Sequence, residues 1–120
     1  AILSDYYLMS TNAFTMDGQH VNIDGNGNRV SALCYGPKHV VIITGMNKLT
    51  PSVEDAYKRI RQDACPPNCV RLGLPTPCSK TGVCGECMFA SSICDLFVTT
   101  RMSRYPDRIH IIMVGEELGY

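Results

Sequence analysis

Apolar and polar positions alternate in two rhythms along this chain, and the switches between them lay out its elements. Tyr6-Tyr7-Leu8-Met9 reads as a short strand broken by Ser10-Thr11-Asn12. Phe14-Thr15-Met16, Asp17-Gly18 and Gln19 to Ile23 predict a hairpin. Val21 and Ile23 alternate with polar neighbours there, and Asp-Gly suits the positive φ angles of a tight turn. Val30, Leu33 and Cys34 recur at helical spacing, so a short helix is expected from about Asn28, stopped by Gly36-Pro37. His39-Val40-Val41-Ile42-Ile43 is β-branched and apolar throughout, which predicts a central strand buried on both faces. It runs into Thr44-Gly45-Met46-Asn47-Lys48, and loops at the carboxyl ends of parallel strands are where α/β folds place ligands.

The strongest helical pattern follows. Val53, Ala56, Tyr57, Ile60 and Ala64 form one apolar face, with Thr50 as cap and Pro51 in the first turn. Glu54–Lys58 and Asp55–Arg59 are favourable i,i+4 pairs on the wet side. Pro66-Pro67 is expected to end the helix. From Cys65 to Cys94 periodicity fades, and Pro66, Pro67, Pro75 and Pro77 forbid regular structure over much of the segment. A loop that long needs something to order it, with room for one helical turn over 87–93. Leu96-Phe97-Val98-Thr99 reads as a buried strand, Arg101 to Asp107 as a polar turn, and Ile109 to Val114 as a last strand ended by Gly115.

Composition narrows the function classes. At 120 residues and 45% hydrophobic, the chain is one globular domain, 1–120, or a piece of one. Eleven basic and eleven acidic residues cancel, so nothing draws it to nucleic acid or an anionic membrane. The longest clean apolar run, Val40 to Ile43, is far short of the roughly 20 residues of a membrane span. No signal peptide opens the sequence, and a first residue of Ala1 suggests a missing N-terminal part. Seven cysteines, an odd and clustered set, favour reduced thiols in a cytoplasm over a secreted disulfide framework.

Two stretches carry candidate chemistry. Cys78, Cys84, Cys87 and Cys94 are spaced C-x5-C-x2-C-x6-C within a Cys/Pro-rich insert at about 65–94. A Cys-x-x-Cys pair puts two sulfurs on one turn, and the flanking thiols can complete a four-sulfur shell, with Gly82 allowing the turn between them. An iron–sulfur cluster, a zinc ion and free thiols are the alternatives for this set, with Cys65 and Cys69 as possible substitute ligands. A redox pair at Cys84 and Cys87 is a further option. Cys34, on an apolar face, is expected to be a buried thiol.

The second stretch is Asp24-Gly25-Asn26-Gly27-Asn28-Arg29. Gly25 and Gly27 free the backbone, Asn28 starts the helix and Arg29 supplies charge, so a carboxylate or phosphate site is expected, with Asn47 and Lys48 joining it. A solvated Asn/Gly turn and a solvated loop lysine are the plainer readings. Of the histidines, His110 lies within a strand, His39 begins one and His20 is expected to be exposed in the hairpin. None follows a metal-pair spacing, and no phosphate-loop or nucleophile-elbow motif occurs.

Several motifs in order carry a resemblance: 24–30, Gly36-Pro37-Lys38-His39-Val40, Gly45-Met46-Asn47-Lys48, Pro66-Pro67-Asn68, Pro77-Cys78 with Thr81-Gly82-x-Cys84-x-x-Cys87, Ile93-Cys94, Arg108-Ile109-His110 and Val114 to Gly119. Together they resemble the cysteine-containing branch of the LUD domain family, the lactate utilization proteins. The resemblance implies a three-layer α/β fold, a mostly parallel sheet flanked by helices, like that of ribose-phosphate isomerase and CoA transferases. It implies the C-terminal portion of such a domain. It also implies an accessory or electron-transfer role in 2-hydroxyacid oxidation beside redox partner proteins, which leans the thiol site toward iron–sulfur. The other function is an isomerase- or transferase-like enzyme, or a binding protein, for an anionic small molecule with structural cysteines. A domain short of a layer would expose apolar surface, so a homo-oligomer is expected.

Overall fold

The computed structural model describes residues 3–85, 87–88 and 92–119. Among the described residues, seven short strands divide between two sheets. The first sheet is wholly parallel, in the order β1 (Tyr6–Met9), β4 (His39–Gly45) and β7 (Ile109–Val114). The second is mixed: β5 (Leu49–Thr50) lies parallel to β2 (Ala13–Thr15), which pairs antiparallel with β3 (His20–Asp24), and β3 pairs antiparallel with β6 (Leu96–Thr100). The chain is therefore α/β, with parallel strands flanked by helices. The expected mostly parallel sheet becomes a three-stranded parallel one beside a four-stranded mixed one.

Each sheet has its own core. Met9, Leu33, Val40 and Ile42 pack between the parallel sheet and α1 (Asn28–Cys34). Ala13, Val21, Ile23, Ala56, Ile60, Ala64 and Cys65 pack between the mixed sheet and the helical run that begins with α2 (Val53–Arg59). Arg108 ties the first core together. Its guanidinium donates to the carbonyls of Leu33 (2.6 Å) and Ala32 (2.9 Å), two orphan acceptors in the last turn of α1, and to that of Pro37 (3.0 Å) in the loop beyond.

Several expectations are corrected. β4 is not buried on both faces: Val40, Ile42 and Thr44 are buried, but Ile43 is 41% exposed. On β7, Ile111, Ile112 and Met113 are exposed as well. β4 is thus covered on one face only, and β7 at the sheet edge is open on both, since Ile111, the register partner of buried Ile42, is exposed too. β6 leaves Leu96 and Phe97 exposed at the edge of its sheet. His20 is buried at 4% exposure against Phe14, because β3 is an inner strand rather than an exposed hairpin arm. Cys34 is exposed.

The helix cap is Ser52, whose hydroxyl oxygen accepts from the Asp55 amide at 3.2 Å. Thr50 belongs to β5, and its hydroxyl donates to the Phe14 carbonyl at 3.1 Å. Glu54 and Lys58 do pair, at 3.9 Å and exposed, but Arg59 turns inward instead of meeting Asp55.

The largest correction concerns Pro66-Pro67. α2 widens into a π-helical turn, Ile60–Ala64, where the Cys65 amide reaches back five residues to the Ile60 carbonyl. α3 (Cys65–Leu72) then begins with both prolines in its first turn, where a missing N–H costs nothing. Gly73, at φ +68°, ends α3, and α4 (Pro77–Thr81) follows. Much of the insert is therefore helical. The turn expected over 87–93 falls partly outside the described residues.

Candidate anion pocket and the neighbouring thiol cavity

Asp24 closes β3 and turns its carboxylate onto the start of α1. Oδ1 accepts from the Gly25 amide (3.1 Å), and Oδ2 accepts from the amides of Arg29 (3.1 Å) and Val30 (3.3 Å). The amides at the helix start, expected to meet a ligand, already hold the protein's own anion.

The charge available to a ligand lies on side chains beside this turn. Arg29 donates to Asn12 Oδ1 (3.2 Å) and to the Ile23 carbonyl (2.9 Å), and its Nε stands 3.7 Å from Asp24. Arg59 donates to the carbonyls of Asn47 and Asn12, each at 2.9 Å. Lys48 is only 6% exposed, and its ammonium donates to Ser10 Oγ at 2.9 Å. Among the described residues no carboxylate lies within ion-pair distance of Lys48. Burial, then the like charges of Arg59 and Arg29, pull its ammonium below the usual lysine range. Burial does the same, more weakly opposed by Asp63, at Arg59.

Lys48, Arg29, Asp24, Asn12 and Gly25 line one cavity of about 530 Å³, together with Ile60, Ala64, Cys65, Asn68 and Ile93. Of the six residues expected at an anion site, Gly25, Arg29 and Lys48 line this cavity. Gly27 and Asn28 are absent from its wall. Asn47 sits behind it and fastens the C-terminal loop, its Oδ1 accepting from the Leu118 amide at 3.1 Å and its Nδ2 donating to the Gly119 carbonyl at 3.3 Å.

Against the same wall lies a second cavity of about 500 Å³. Cys65, Cys69, Cys78, Cys84, Cys87 and Cys94 all line it, and Cys65 and Ile93 belong to both cavities. Cys65 and Cys69 are one helical turn apart on α3, and Cys78 lies in α4. The sulfurs of Cys65 and Cys94 are 3.2 Å apart and share a hydrogen bond. That bond pushes the Cys65 thiol up, with burial adding to it, so Cys65 keeps the proton. The same bond, helped by Arg61, pulls Cys94 down. Burial raises Cys69, and Cys78 lies 3.4 Å from the Thr76 hydroxyl.

The four thiols expected as metal ligands, Cys78, Cys84, Cys87 and Cys94, thus share a cavity. Among the described residues, however, no three His, Cys, Asp or Glu side chains are grouped so as to hold an ion. A tetrahedral zinc–thiolate site with bonds of about 2.3 Å sets its sulfurs about 3.8 Å apart, wider than the 3.2 Å between Cys65 and Cys94. Cys65 and Cys94 as placed are too close to ligate one ion together.

The sequence model of the LUD domain matches residues 1–114, nearly the whole chain. The chain belongs to the LUD domain family. No curated protein and no solved structure matches it. Both cavities of this LUD domain are built from residues inside the matched range. No helix among its described residues is long and apolar enough to cross a membrane.

Sequence reasoning missed Asn12 and Arg59 and undervalued Cys65 and Cys69. Arg59 looked like one half of a surface pair, and Asn12 like a strand breaker. The Cys65-x3-Cys69 spacing was a usable signal, since i,i+4 places both thiols on one helix face once a helix is granted.

Proposed function

We propose that this LUD-domain protein binds a small carboxylate or phosphate anion under Lys48, in service of 2-hydroxyacid utilization. The observation that carries the reading is the buried Lys48 ammonium, without a carboxylate partner among the described residues, sharing a cavity of small-metabolite size with Arg29 and close enough to Arg59 to feel its charge. A buried charge left this way costs free energy unless a counter-charge arrives. Arg29, whose guanidinium plane suits a carboxylate, and the amide side chain of Asn12 would orient the ligand. Isothermal titration with L-lactate, pyruvate and inorganic phosphate tests this. Binding by the native chain should weaken tenfold to a hundredfold in Lys48→Met, the loss of one charge-assisted hydrogen bond of about 1.5–3 kcal/mol. Equal affinity in both proteins would sink the reading.

An accessory electron-transfer role is the second reading, favoured by the six cysteines on a cavity that shares Cys65 and Ile93 with the anion pocket. An iron–sulfur cluster or a zinc ion there would require the thiols to move from the spacing described. Metal analysis and an absorption spectrum after anaerobic purification decide it: bound iron with a broad visible band supports a cluster, and zinc alone a structural site.

A further inference from the structure

We infer that Cys65 and Cys94 form a reversible redox dithiol, oxidised by a low-molecular-weight disulfide that enters through the thiol cavity. This goes beyond the anion-binding reading and stands independently of it.

Three observations converge. The two sulfurs are 3.2 Å apart, in contact and without an intervening group. The two residues are 29 positions apart in sequence and lie on different elements, Cys65 opening α3 and Cys94 leading into β6. Contact over that separation is a product of the fold rather than of local chain geometry. Finally, both thiols line one cavity, with Cys94 half-buried and Cys65 buried.

These positions assign the roles. Cys94, half-buried where Cys65 is buried, is the sulfur a disulfide in the cavity reaches first, and as a thiolate it attacks one sulfur of that disulfide. The oxidant's S–S bond breaks, one thiolate leaves, and a mixed disulfide forms at Cys94. Cys65 gives up its proton to the departing thiolate and attacks Cys94 Sγ, releasing the second half of the oxidant as a thiolate, which takes from solvent the proton that Cys94 shed on ionising. Two protein thiols become one disulfide, and one disulfide becomes two thiols. The bond would fasten the start of α3 to the strand that closes the mixed sheet.

The test uses the native chain, so no variant has to fold. Reduced protein is equilibrated with mixtures of reduced and oxidised glutathione, quenched in acid, alkylated and digested with trypsin. Peptide 62–71 carries Cys65 and Cys69, and peptide 81–101 carries Cys84, Cys87 and Cys94. The expected result is a linked 62–71/81–101 pair whose fragmentation places the bridge at Cys65–Cys94, reversed by dithiothreitol. Three results would overturn the inference. One is a bridge elsewhere, such as Cys84–Cys87, with Cys65 and Cys94 alkylated. Another is no bridge at any ratio. The third is bound iron or zinc at about one site per chain that must be stripped before Cys65 and Cys94 react.

Discussion

The two neighbouring cavities are built in opposite ways. The anion pocket borrows side chains from distant parts of the sequence, and its frame is pinned to backbone, with Lys48 held by the Ser10 hydroxyl. Arg29 holds the Ile23 carbonyl, Arg59 those of Asn12 and Asn47, and Asp24 the start of α1. The thiol cavity draws all six cysteines from one segment of chain, 65–94, whose helices are short and whose contacts are mostly sulfur on sulfur or sulfur on hydroxyl. The first is a product of the sheet cores and should be rigid without ligand. The second leans on α3 and β6 for order, so its chemistry and its local stability are tied together.

That contrast can be broken by mutation, most severely at Arg59. Arg59→Ala removes donors from two carbonyls at once and should cost about 3 kcal/mol, read as a fall in the urea midpoint with unchanged slope. A loss under about 0.5 kcal/mol, the range of an ordinary surface change, would mean the pocket frame does not support the fold. Asp24→Ala uncovers the amides of Gly25, Arg29 and Val30 and should cost about 1–2 kcal/mol by the same measurement.

A smaller effect is expected from pH. Burial lowers the pKa of His20, whose two ring nitrogens have no hydrogen-bond partner among the described residues. The unfolded chain then binds the proton more readily than the folded one. Stability is therefore full above the ordinary histidine value of about 6.5 and falls as pH drops below it, toward the lowered folded value. His20→Phe should flatten the stability curve between pH 5 and 6.5, roughly the titration range of histidine, and an unchanged slope would assign the loss to other groups. The smallest effect belongs to Cys84→Ser, a half-buried thiol at the cavity rim, with a change of at most about 0.5 kcal/mol. A large loss there would show that the thiol cavity holds the fold as firmly as the pocket does.

Most of the longer strands were legible as strands, because alternation at Val21 and Ile23 and the β-branched run at His39 to Ile43 reflect local packing demands. What those runs could not show was which face stays open: an apolar run reads the same whether one side or both are covered, so Ile43 and the exposed Leu96 and Phe97 of β6 were misjudged. The prolines misled for a related reason. Pro66-Pro67 forbids an ordinary helix from continuing, but a wide turn at Ile60–Ala64 removes the need for their N–H groups, and nothing in residue spacing announces such a turn. At the site, Gly25, Arg29 and Lys48 were recognisable as charge beside flexible backbone. Asp24 was quoted only as part of a loop, yet its carboxylate occupies the helix start, an outcome set by its position one residue before Gly25 at the end of β3.

The most direct test of the anion pocket is thermal melting of the native chain and of Lys48→Met, each titrated with phosphate and with lactate. Ligand binding to the folded state alone raises stability in proportion to the logarithm of ligand concentration above the dissociation constant. The expected result is that Lys48→Met melts at or above the native temperature without ligand, because an unpaired buried charge has been removed, and gains nothing when anion is added, whereas the native chain is stabilised. A substituted chain that melts well below the native one, yet is stabilised by anion just as strongly, would make Lys48 a structural residue and contradict the proposed pocket.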